Sequence, residues 1–339
     1  MGSTSTAELA STAGAAVTLS LLLTPLVRRW LLRREVLDRP NHRSSHVLPT
    51  PRGGGLAVAV GASVALGVSG ASGIEREALL ASAGLFGLLG LAEDLHNLAP
   101  LTRLGIQAVL ALGSLVLVLH GLSGPVAWRV GFGLGVMLWL VGFVNVFNFM
   151  DGINGLATVQ AMVAGGVWAY LGIARHHPSL ALAGLAVAAA ALGFLPFNFP
   201  GARIFLGDAG SYFLGAWLAV TAVIALRAGI APEAALGPLA VFVADAAWTL
   251  ARRLRNHEVW YEAHRGHVYQ RLIDLGWSHA RATASIGALM VGISLLGLVS
   301  LQGHFVPRAL ADGAGALTLG FYLASPRLLA SSPQAIGGA

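Results

Sequence analysis

Amide and acidic side chains recur at a helical spacing where a long apolar run of the sequence ends. Asn145, Asn148 and Asp151 lie three residues apart within GFVNVFNFMDGING (142–155), so they share one face of a predicted helix. Because polar groups are costly against lipid, this face must contact protein or a wet cavity. Hydrogen bonds between helices would explain the asparagines but not the acid that follows them in register. The stripe therefore predicts a polar site at a helix end.

A second acid lies between glycines directly before another apolar run. In FNFPGARIFLGDAGSYFLG (197–215), Asp208 can offer a carboxylate to a cation, and nearby backbone N–H groups can bind a phosphate. Ser211 could instead simply cap the helix that follows. Phe205 is a candidate surface for stacking a base. This loop therefore predicts a place for a cation and a nucleotide.

Two adjacent acids, Glu93 and Asp94, end a third apolar run in LAEDLHNLAPLTRLG (91–105). Neighbouring carboxylates can gather around a divalent cation, or they can orient a nucleophile with the help of Arg103. The alternative is a helix end with solvated acids. Acids at a helix C-terminus oppose the helix dipole, which favours the functional interpretation.

Two further segments carry cationic side chains suited to phosphate. DRPNHRSSHVLPTPRGGG (38–55) joins a rigid, glycine-rich turn to arginines that include Arg52, and arginine binds phosphate well; the alternative is a basic loop on anionic lipid. The segment 251–282 holds four histidines, of which His264 and His267 are three apart. With no thiolate and no second histidine pair, a zinc site is disfavoured. Donors to a pyrophosphate are the better interpretation, and an amphipathic surface helix is the alternative.

One acid, Asp245, lies inside an apolar run, in VFVADAAW, and within two turns of Arg252. A charge at such a position needs a partner or a wet cavity. Asp245 is therefore expected either to line the same cavity as the other acids or to pair with an arginine, and both alternatives stay open.

The elements that must position these side chains are membrane helices. The 339 residues are 56% hydrophobic and 11% charged, with mean hydropathy +0.73, whereas soluble domains carry about 25% charged residues. The chain has no cysteine, so it can form neither a disulfide nor a thiolate site. The net charge of +6 comes from arginines in loops between apolar runs, which is typical of membrane anchoring and argues against nucleic acid.

The apolar runs predict an all-α polytopic membrane protein of one domain, residues 1–339, with about eleven transmembrane helices. The predicted spans are 9–31, 55–72, 77–92, 104–121, 129–149, 156–173, 180–197, 209–227, 231–250, 283–302 and 308–325. Sixteen arginines lie on the side of the long polar loops and five on the other side. By the positive-inside rule the N-terminus is outside, and the C-terminus and the five polar loops are cytoplasmic. Because these loops carry the polar clusters, we expect them to form the active site.

Taken together, the loop motifs resemble the polyprenyl-phosphate N-acetylhexosaminyl-1-phosphate transferase family, the MraY- and WecA-like enzymes. The motifs are HxxPTPRxGG, an acidic pair followed by Arg, NxxNxxDGxNG, IFxGDxGSxFLG and AHRGHVYQRL. The last is most similar to the branch that initiates O-antigen. The resemblance implies a helical bundle of ten or eleven spans that transfers a sugar-1-phosphate from a UDP-sugar to a lipid phosphate, usually undecaprenyl phosphate. UMP leaves and Mg²⁺ is required.

The same resemblance implies which acids and amides act. Asn148 and Asp208 would be the magnesium ligands, with Mn²⁺ as an alternative metal. The expected catalytic group comprises Glu93, Asp94, Asp151 and Asp208, with Asp151 near the phosphates. The family's acidic pair is usually Asp-Asp, so a longer side chain must be accommodated at Glu93.

Substrate contacts follow from the resemblance in the same way. Asn154 and Phe205 would hold the uracil, and His264, Arg265 and His267 would meet the pyrophosphate. The implied partners are the UDP-sugar, undecaprenyl phosphate and the membrane, with no nucleic acid; a homodimer is left open. The implied location is the bacterial inner membrane.

Elementary chemistry favours direct displacement as the mechanism. A phosphate monoester, with a second pKa of about 6, is largely ionised at neutral pH and needs little help from a base. The obstacle is repulsion between two anions, which a metal ion and cationic side chains would offset. A covalent aspartyl-phosphate is the alternative. The expected pathway is O-antigen or a related glycan; peptidoglycan or teichoic-acid precursors, and a membrane transporter, are the alternatives.

Overall fold

The computed structural model describes residues 4–40, 48–96, 98–259 and 265–330, and the regular structure in them is almost entirely helical. Two short 3₁₀ turns, Gly237–Leu239 and Ser300–Gln302, extend the ends of helices. The helices within these ranges are α1 (Thr6–Arg33), α2 (Gly55–Gly67), α3 (Ile74–His96), α4 (Pro100–Val118), α5 (Val126–Met150), α6 (Leu156–Ala174), α7 (Pro178–Asn198), α8 (Gly207–Arg227), α9 (Pro232–Leu236), α10 (Ala240–Arg255), α11 (Val268–Asp274), α12 (His279–Val299) and α13 (Phe305–Ala330).

Each predicted span coincides with helical structure, and the all-α membrane fold is confirmed. The span 231–250 falls on α9, the 3₁₀ turn and α10 together. Among the described residues, nine helices are long and apolar enough to cross a membrane. The two predicted spans outside that set are α2, which has only 13 residues, and α13, which carries three charged residues: Arg308, Asp312 and Arg327. The count of eleven and the orientation stay predictions.

Helix α8 occupies the centre of the bundle, since 94% of its most apolar window is buried. Glycines bring its first turn close to two neighbouring helices. A Cβ on Gly90 of α3 would lie 2.0 Å from the carbonyl oxygen of Asp208, and a Cβ on Gly55 of α2 would lie 2.0 Å from the Cα of Gly210. Such distances leave no room for a side chain. The backbone of α8 therefore meets α2 and α3 directly at the end that carries Asp208.

A small hairpin, which the sequence reading did not include, closes the same end. Strand β1 (Leu37–Asp38) pairs antiparallel with β2 (Thr50–Pro51). The residue after β2, Arg52, forms a parallel bridge with Phe205. In chain order, the five polar loops are those of segments 38–55, 91–105, 142–155, 197–215 and 251–282. The bridge therefore joins the first loop to the fourth, so the backbone itself begins to assemble the site.

Candidate active site

A buried carboxylate from α3 holds the first turn of α8. The Asp94 side chain is 1% exposed and accepts hydrogen bonds from the backbone N–H groups of Asp208 at 3.0 Å and Ala209 at 2.9 Å. These N–H groups have no partner within their own helix, so a carboxylate that accepts from them stabilises the helix start. Arg52 Nε lies 3.0 Å from Asp94 Oδ1. Asp94, Asp208 and Arg52, predicted on three loops, are thus brought together.

Close backbone approach makes this arrangement possible. Gly207 has φ +75°, and a Cβ there would lie 2.5 Å from Gly53 N and 2.8 Å from Asp94 Oδ2. Phe205 N donates to the Pro51 carbonyl at 2.8 Å, and Gly54 N donates to the Phe205 carbonyl at 2.9 Å. Glycine is required at position 207 both by its left-handed conformation and by the lack of space.

Asn145 and Asn148, the two asparagines of the predicted polar face of α5, lie in different environments. Asn148 Nδ2 donates to Asp208 Oδ1 at 2.7 Å and to Ser211 Oγ at 2.9 Å. Asn145 Nδ2 instead donates to Gln107 Oε1 of α4 at 2.6 Å and to the Val141 carbonyl. Asn148 therefore belongs to the acidic site, whereas Asn145 joins two helices.

Asp151 follows the last residue of α5, and its carboxylate makes no hydrogen bond or ion pair with the described part of the chain. Burial, and then the negative charges of Asp208 and Asp94, raise the pKa of Asp151 well above its ordinary value of 3.8. Three carboxylates therefore contribute to one negative electrostatic field. A cation or a cationic group of a ligand would relieve that repulsion.

This field and its oxygen donors fit a hard divalent cation. No group of three or more His, Cys, Asp or Glu side chains lies at ligating distance among the described residues. Mg²⁺ does not need such a group, because it usually takes one or two carboxylates, keeps several waters and shares phosphate oxygens of the substrate. Asp208 and Asn148 are adjacent and supply this kind of incomplete set.

Glu93 engages the chain that follows its own helix. Its Oε2 accepts from Leu98 N at 2.7 Å and its Oε1 accepts from Arg103 at 3.1 Å. The extra methylene of Glu93 lets the side chain span the turn from α3 to α4, which accounts for the longer acid at this position. Its catalytic role, like those of Asp94 and Asp151, stays a prediction.

The turn before α6 is anchored by a residue that sequence reasoning missed. Asn198, 4% exposed, accepts from Gly155 N at 2.9 Å and Thr158 Oγ1 at 3.0 Å, and its Nδ2 donates to the Ile204 carbonyl at 3.1 Å. Asn154 Nδ2 donates to the Pro200 carbonyl at 3.0 Å. The third and fourth polar loops thus meet at Asn154 and Asn198, and the assignment of Asn154 and Phe205 to the uracil stays a prediction. An asparagine at the end of an apolar helix was the available signal for Asn198.

The fifth loop is held by α10. Asp245 is fully buried. Its carboxylate is hydrogen-bonded to His267 Nδ1 at 3.0 Å and accepts a hydrogen bond from Tyr322 Oη at 2.8 Å. Within the described part of the chain no arginine pairs with this carboxylate, and the alternative that Asp245 lines the same cavity as the other acids stays a prediction. Arg265 Nη2 lies 2.8 Å from Asp274 Oδ1, and His264 lies outside the described residues.

An apolar groove lies between membrane helices and includes Arg103, the partner of Glu93. It has a volume of about 400 Å³ and is formed by α4, α5 and α10, with walls that include Leu104 and Val146. Arg103, Arg253 and His267 line the same groove. The combination suits a ligand with an anionic head and a hydrocarbon tail.

Comparison with known sequences shows which proteins this chain is similar to. The sequence model of the family described as Glycosyl transferase family 4 matches residues 77–226. That segment holds α4 to α7 entire and most of α3 and α8, and it therefore contains Asp94, Asn148, Asn154 and Asp208.

Individual relatives align over most of their length. The chain is 31% identical over 277 residues, 76% of this chain and 75% of the relative, to a probable undecaprenyl-phosphate N-acetylglucosaminyl 1-phosphate transferase of Bacillus subtilis. It is 30% identical to a decaprenyl-phosphate N-acetylglucosaminephosphotransferase of Mycolicibacterium smegmatis, with 86% and 82% covered. It is also 30% identical to an undecaprenyl-phosphate alpha-N-acetylglucosaminyl 1-phosphate transferase of Thermotoga maritima, with 75% and 80% covered.

Proposed function

Since the chain belongs to Glycosyl transferase family 4, we propose that it is a polyprenyl-phosphate sugar-1-phosphate transferase whose sugar is N-acetylglucosamine. It takes N-acetylglucosamine-1-phosphate from UDP-N-acetylglucosamine, transfers it to a polyprenyl phosphate such as undecaprenyl phosphate, and releases UMP. The names of the relatives support this sugar and this class of lipid. The chain acts as a multi-pass protein of the bacterial inner membrane.

The observation that carries the proposal is the link between the acidic loops and an apolar groove: Arg103, which lines the groove, pairs with Glu93, the neighbour of Asp94. The groove between α4, α5 and α10 offers apolar walls to a long hydrocarbon chain. Its lining includes Arg103 and His267, which can receive the lipid phosphate. The acids around Asp208 lie at the same end of the bundle, where the soluble nucleotide sugar can reach them. A transporter would place such groups near the middle of the membrane.

The reaction is a displacement at phosphorus. An oxygen of the lipid phosphate attacks the sugar-bearing β-phosphorus, the bond to the bridging oxygen breaks, and UMP leaves with its electron pair. Asn148 and Asp208 would hold Mg²⁺, which offsets the repulsion between the two anions and stabilises the leaving group. Because Arg103 and His267 line the apolar groove, we assign them to the acceptor phosphate, in place of the pyrophosphate expected for His267 from the resemblance. Asn154 and Phe205 hold the uracil.

The hydrogen bonds around the acids bear on the choice of mechanism. Asp94 is engaged by Arg52 and by two backbone N–H groups, so its role is to keep Asp208 in place. A group held in this way is a poor nucleophile, which favours direct displacement over an intermediate on Asp94. The carboxylate of Asp151 makes no hydrogen bond or ion pair with the described chain, so it can bind a proton or a ligand.

The test is an assay of purified protein with UDP-N-acetylglucosamine, undecaprenyl phosphate and Mg²⁺. We expect equal amounts of UMP and lipid-linked sugar. Asp312→Asn is the matched control for changes at the site, because Asp312 lines a different groove on α13. Failure to release UMP with several UDP-sugars and several polyprenyl phosphates would overturn the proposal. A product made only from another UDP-sugar would correct the sugar alone.

The reaction does not by itself define the glycan pathway that uses its product. The expectation of O-antigen synthesis rests on AHRGHVYQRL, which resembles the O-antigen branch. The name of the Bacillus subtilis relative assigns it N-acetylglucosaminyl 1-phosphate transfer and leaves open the glycan that follows. Growth of a strain depleted of this protein, with analysis of which surface glycan is lost, separates O-antigen from teichoic-acid and peptidoglycan precursors.

A further inference from the structure

The buried carboxylate of Asp245 is the meeting point of three helices. Its oxygens accept from Val268 N at 3.1 Å, from Tyr322 Oη at 2.8 Å and from Thr249 Oγ1 at 3.3 Å, besides the contact with His267 Nδ1 at 3.0 Å. A buried charge is costly unless hydrogen bonds compensate it. Here they come from α10, α13 and the start of α11, so the acid is tied to the fifth loop.

The contact with His267 defines how that ring is held. An ionised carboxylate can only accept hydrogen bonds, so Nδ1 of His267 carries the hydrogen and Nε2 is the nitrogen on the far side of the ring. The ring lies stacked near Tyr269, with centroids 5.8 Å apart and planes 20° apart, and is tilted against Phe149 at 6.2 Å. Two neighbouring aromatic rings therefore restrict rotation of the imidazole.

The backbone on both sides of His267 is held by side chains of α10. Arg252 Nη2 donates to Gly266 O at 2.8 Å, and Val268 N donates to both oxygens of Asp245. Tyr269 Oη donates to the Phe149 carbonyl at 2.9 Å, at the end of α5. Asp245 is thus placed to control both the position and the tautomer of a histidine that lines the groove.

We propose that Asp245 is a positioning residue that fixes His267 with Nδ1 as donor, so that Nε2 faces the phosphate groups of bound substrate. A carboxylate that orients a histidine in this way sets which nitrogen is available for chemistry. Asp245 touches no substrate itself. The inference rests on the proposed function, because it takes the ligand of the groove to be a phosphate.

A double-mutant cycle tests whether Asp245 acts through His267. We expect Asp245→Ala to lower kcat for UMP release by about 10- to 100-fold, as for outer-shell partners elsewhere, with little change in the KM for the UDP-sugar. In a His267→Ala background, the same change should have no further effect on kcat. A full additional loss in that background would mean that Asp245 is merely structural and would overturn the inference.

Matched variants separate positioning from stability. Tyr322→Phe removes one donor to the same carboxylate and leaves the His267 contact intact, so it should lower the melting temperature without changing kcat. Asp245→Asn keeps an oxygen that can accept from Nδ1, so it should restore most of the kcat lost in Asp245→Ala. If Asp245→Ala does not fold, the tautomer of His267 in the wild-type protein is the deciding measurement. Loss of kcat in Tyr322→Phe as large as in Asp245→Ala would contradict the proposal.

The tautomer can be read without any turnover. Protein labelled with ¹⁵N-histidine, compared with His267→Ala for assignment, should show Nδ1 of His267 protonated in the wild type. A ring protonated only at Nε2 would overturn the inference even if the enzyme is active. Conversely, a wild type that shows the Nδ1–H signal but releases no UMP would refute the proposed function and leave the Asp245–His267 contact established.

Discussion

Asp94 and Asp208, which are 114 residues apart in sequence, are joined by a hydrogen bond of 3.0 Å from the backbone N–H of Asp208 to the Asp94 carboxylate. An acid at the end of α3 therefore caps the start of α8. Since the Asp208 side chain contacts Asn148, the same link positions the candidate magnesium ligands. Loss of a helix cap costs about 0.5–2 kcal/mol.

We accordingly expect Asp94→Ala to lower both stability and turnover. The free energy of unfolding should fall by about 1–3 kcal/mol, because two N–H groups and Arg52 lose a buried partner. Thermal melts in detergent and UMP release measure the two effects. Turnover equal to that of the wild type in a destabilised variant would show that Asp94 supports the fold alone.

Asp208→Asn changes the charge and leaves the shape almost unaltered. We expect a loss of UMP release of roughly 10²-fold or more, since charge stabilisation at the reacting phosphates is among the largest contributions to catalysis. Expression and melting temperature should stay near those of the wild type. Substantial turnover would refute the assignment of Asp208 as a metal ligand, with Asp312→Asn as the control for the substitution itself.

Two glycines on α3 give a matched test of helix packing. A Cβ added at Gly90 would lie 2.0 Å from the carbonyl oxygen of Asp208, whereas nothing lies within 4 Å of a Cβ added at Gly84. Gly90→Ala should force α3 and α8 apart, at a cost of about 1–3 kcal/mol for overpacking, and should reduce activity. Gly84→Ala should leave melting temperature and UMP release unchanged; equal effects of the two substitutions would contradict this account.

Asn198→Ala removes three hydrogen bonds that hold the turn around Gly155. Because that turn carries Asn154, the KM for the UDP-sugar should rise while the KM for polyprenyl phosphate stays the same. Initial rates at varied concentrations of each substrate provide the measurement. Asn256→Ala, at an exposed site with a hydrogen bond to Glu258, is the control, and a rise in the KM for the lipid instead would contradict the placement of the nucleotide.

The raised pKa of Asp151 predicts a pH-dependent response to metal. Burial and the charges of Asp208 and Asp94 disfavour the ionised form of Asp151 in the native state. The metal-free protein should therefore lose stability as pH rises through the raised native pKa. A divalent cation favours that ionised form, so the increase in melting temperature caused by Mg²⁺ should grow with pH.

Melting curves in EDTA and in Mg²⁺, taken from pH 5.5 to 8, test this expectation. In Asp151→Asn, which cannot ionise, the Mg²⁺-dependent increase should vary little over the same range. An increase that is independent of pH in the wild type would show that the cation does not interact with Asp151.

Much of the fold could be predicted because membrane helices are encoded locally. Each apolar run matched helical structure, and described residues of the five polar loops contact one another, as in Arg52 with Phe205, Asp94 with Asp208 and Tyr269 with Phe149. Hydropathy was less informative for α2, which is short, and for α13, whose charged residues interrupt the apolar pattern. The hairpin of β1 and β2 escaped prediction because each strand has only two residues.

The sequence predicted which residues form the site better than it predicted the contacts between them. Asn148 and Asp208 were grouped by resemblance, and the structure shows them 2.7 Å apart. Asn198 and the partners of Asp245 were not foreseen, since their roles depend on residues 40 or more positions away: Thr158 and Tyr322.

The sequence alone determined that this is a helical membrane protein with its chemistry concentrated in polar loops, because hydropathy, charge and helical spacing are properties of neighbouring residues. Only the tertiary structure decided that Asp94 caps α8, that Glu93 binds Arg103 and that Asp245 holds His267. Those pairings depend on distances of about 3 Å between distant segments, which are set by how closely glycines such as Gly90 let the helices pack.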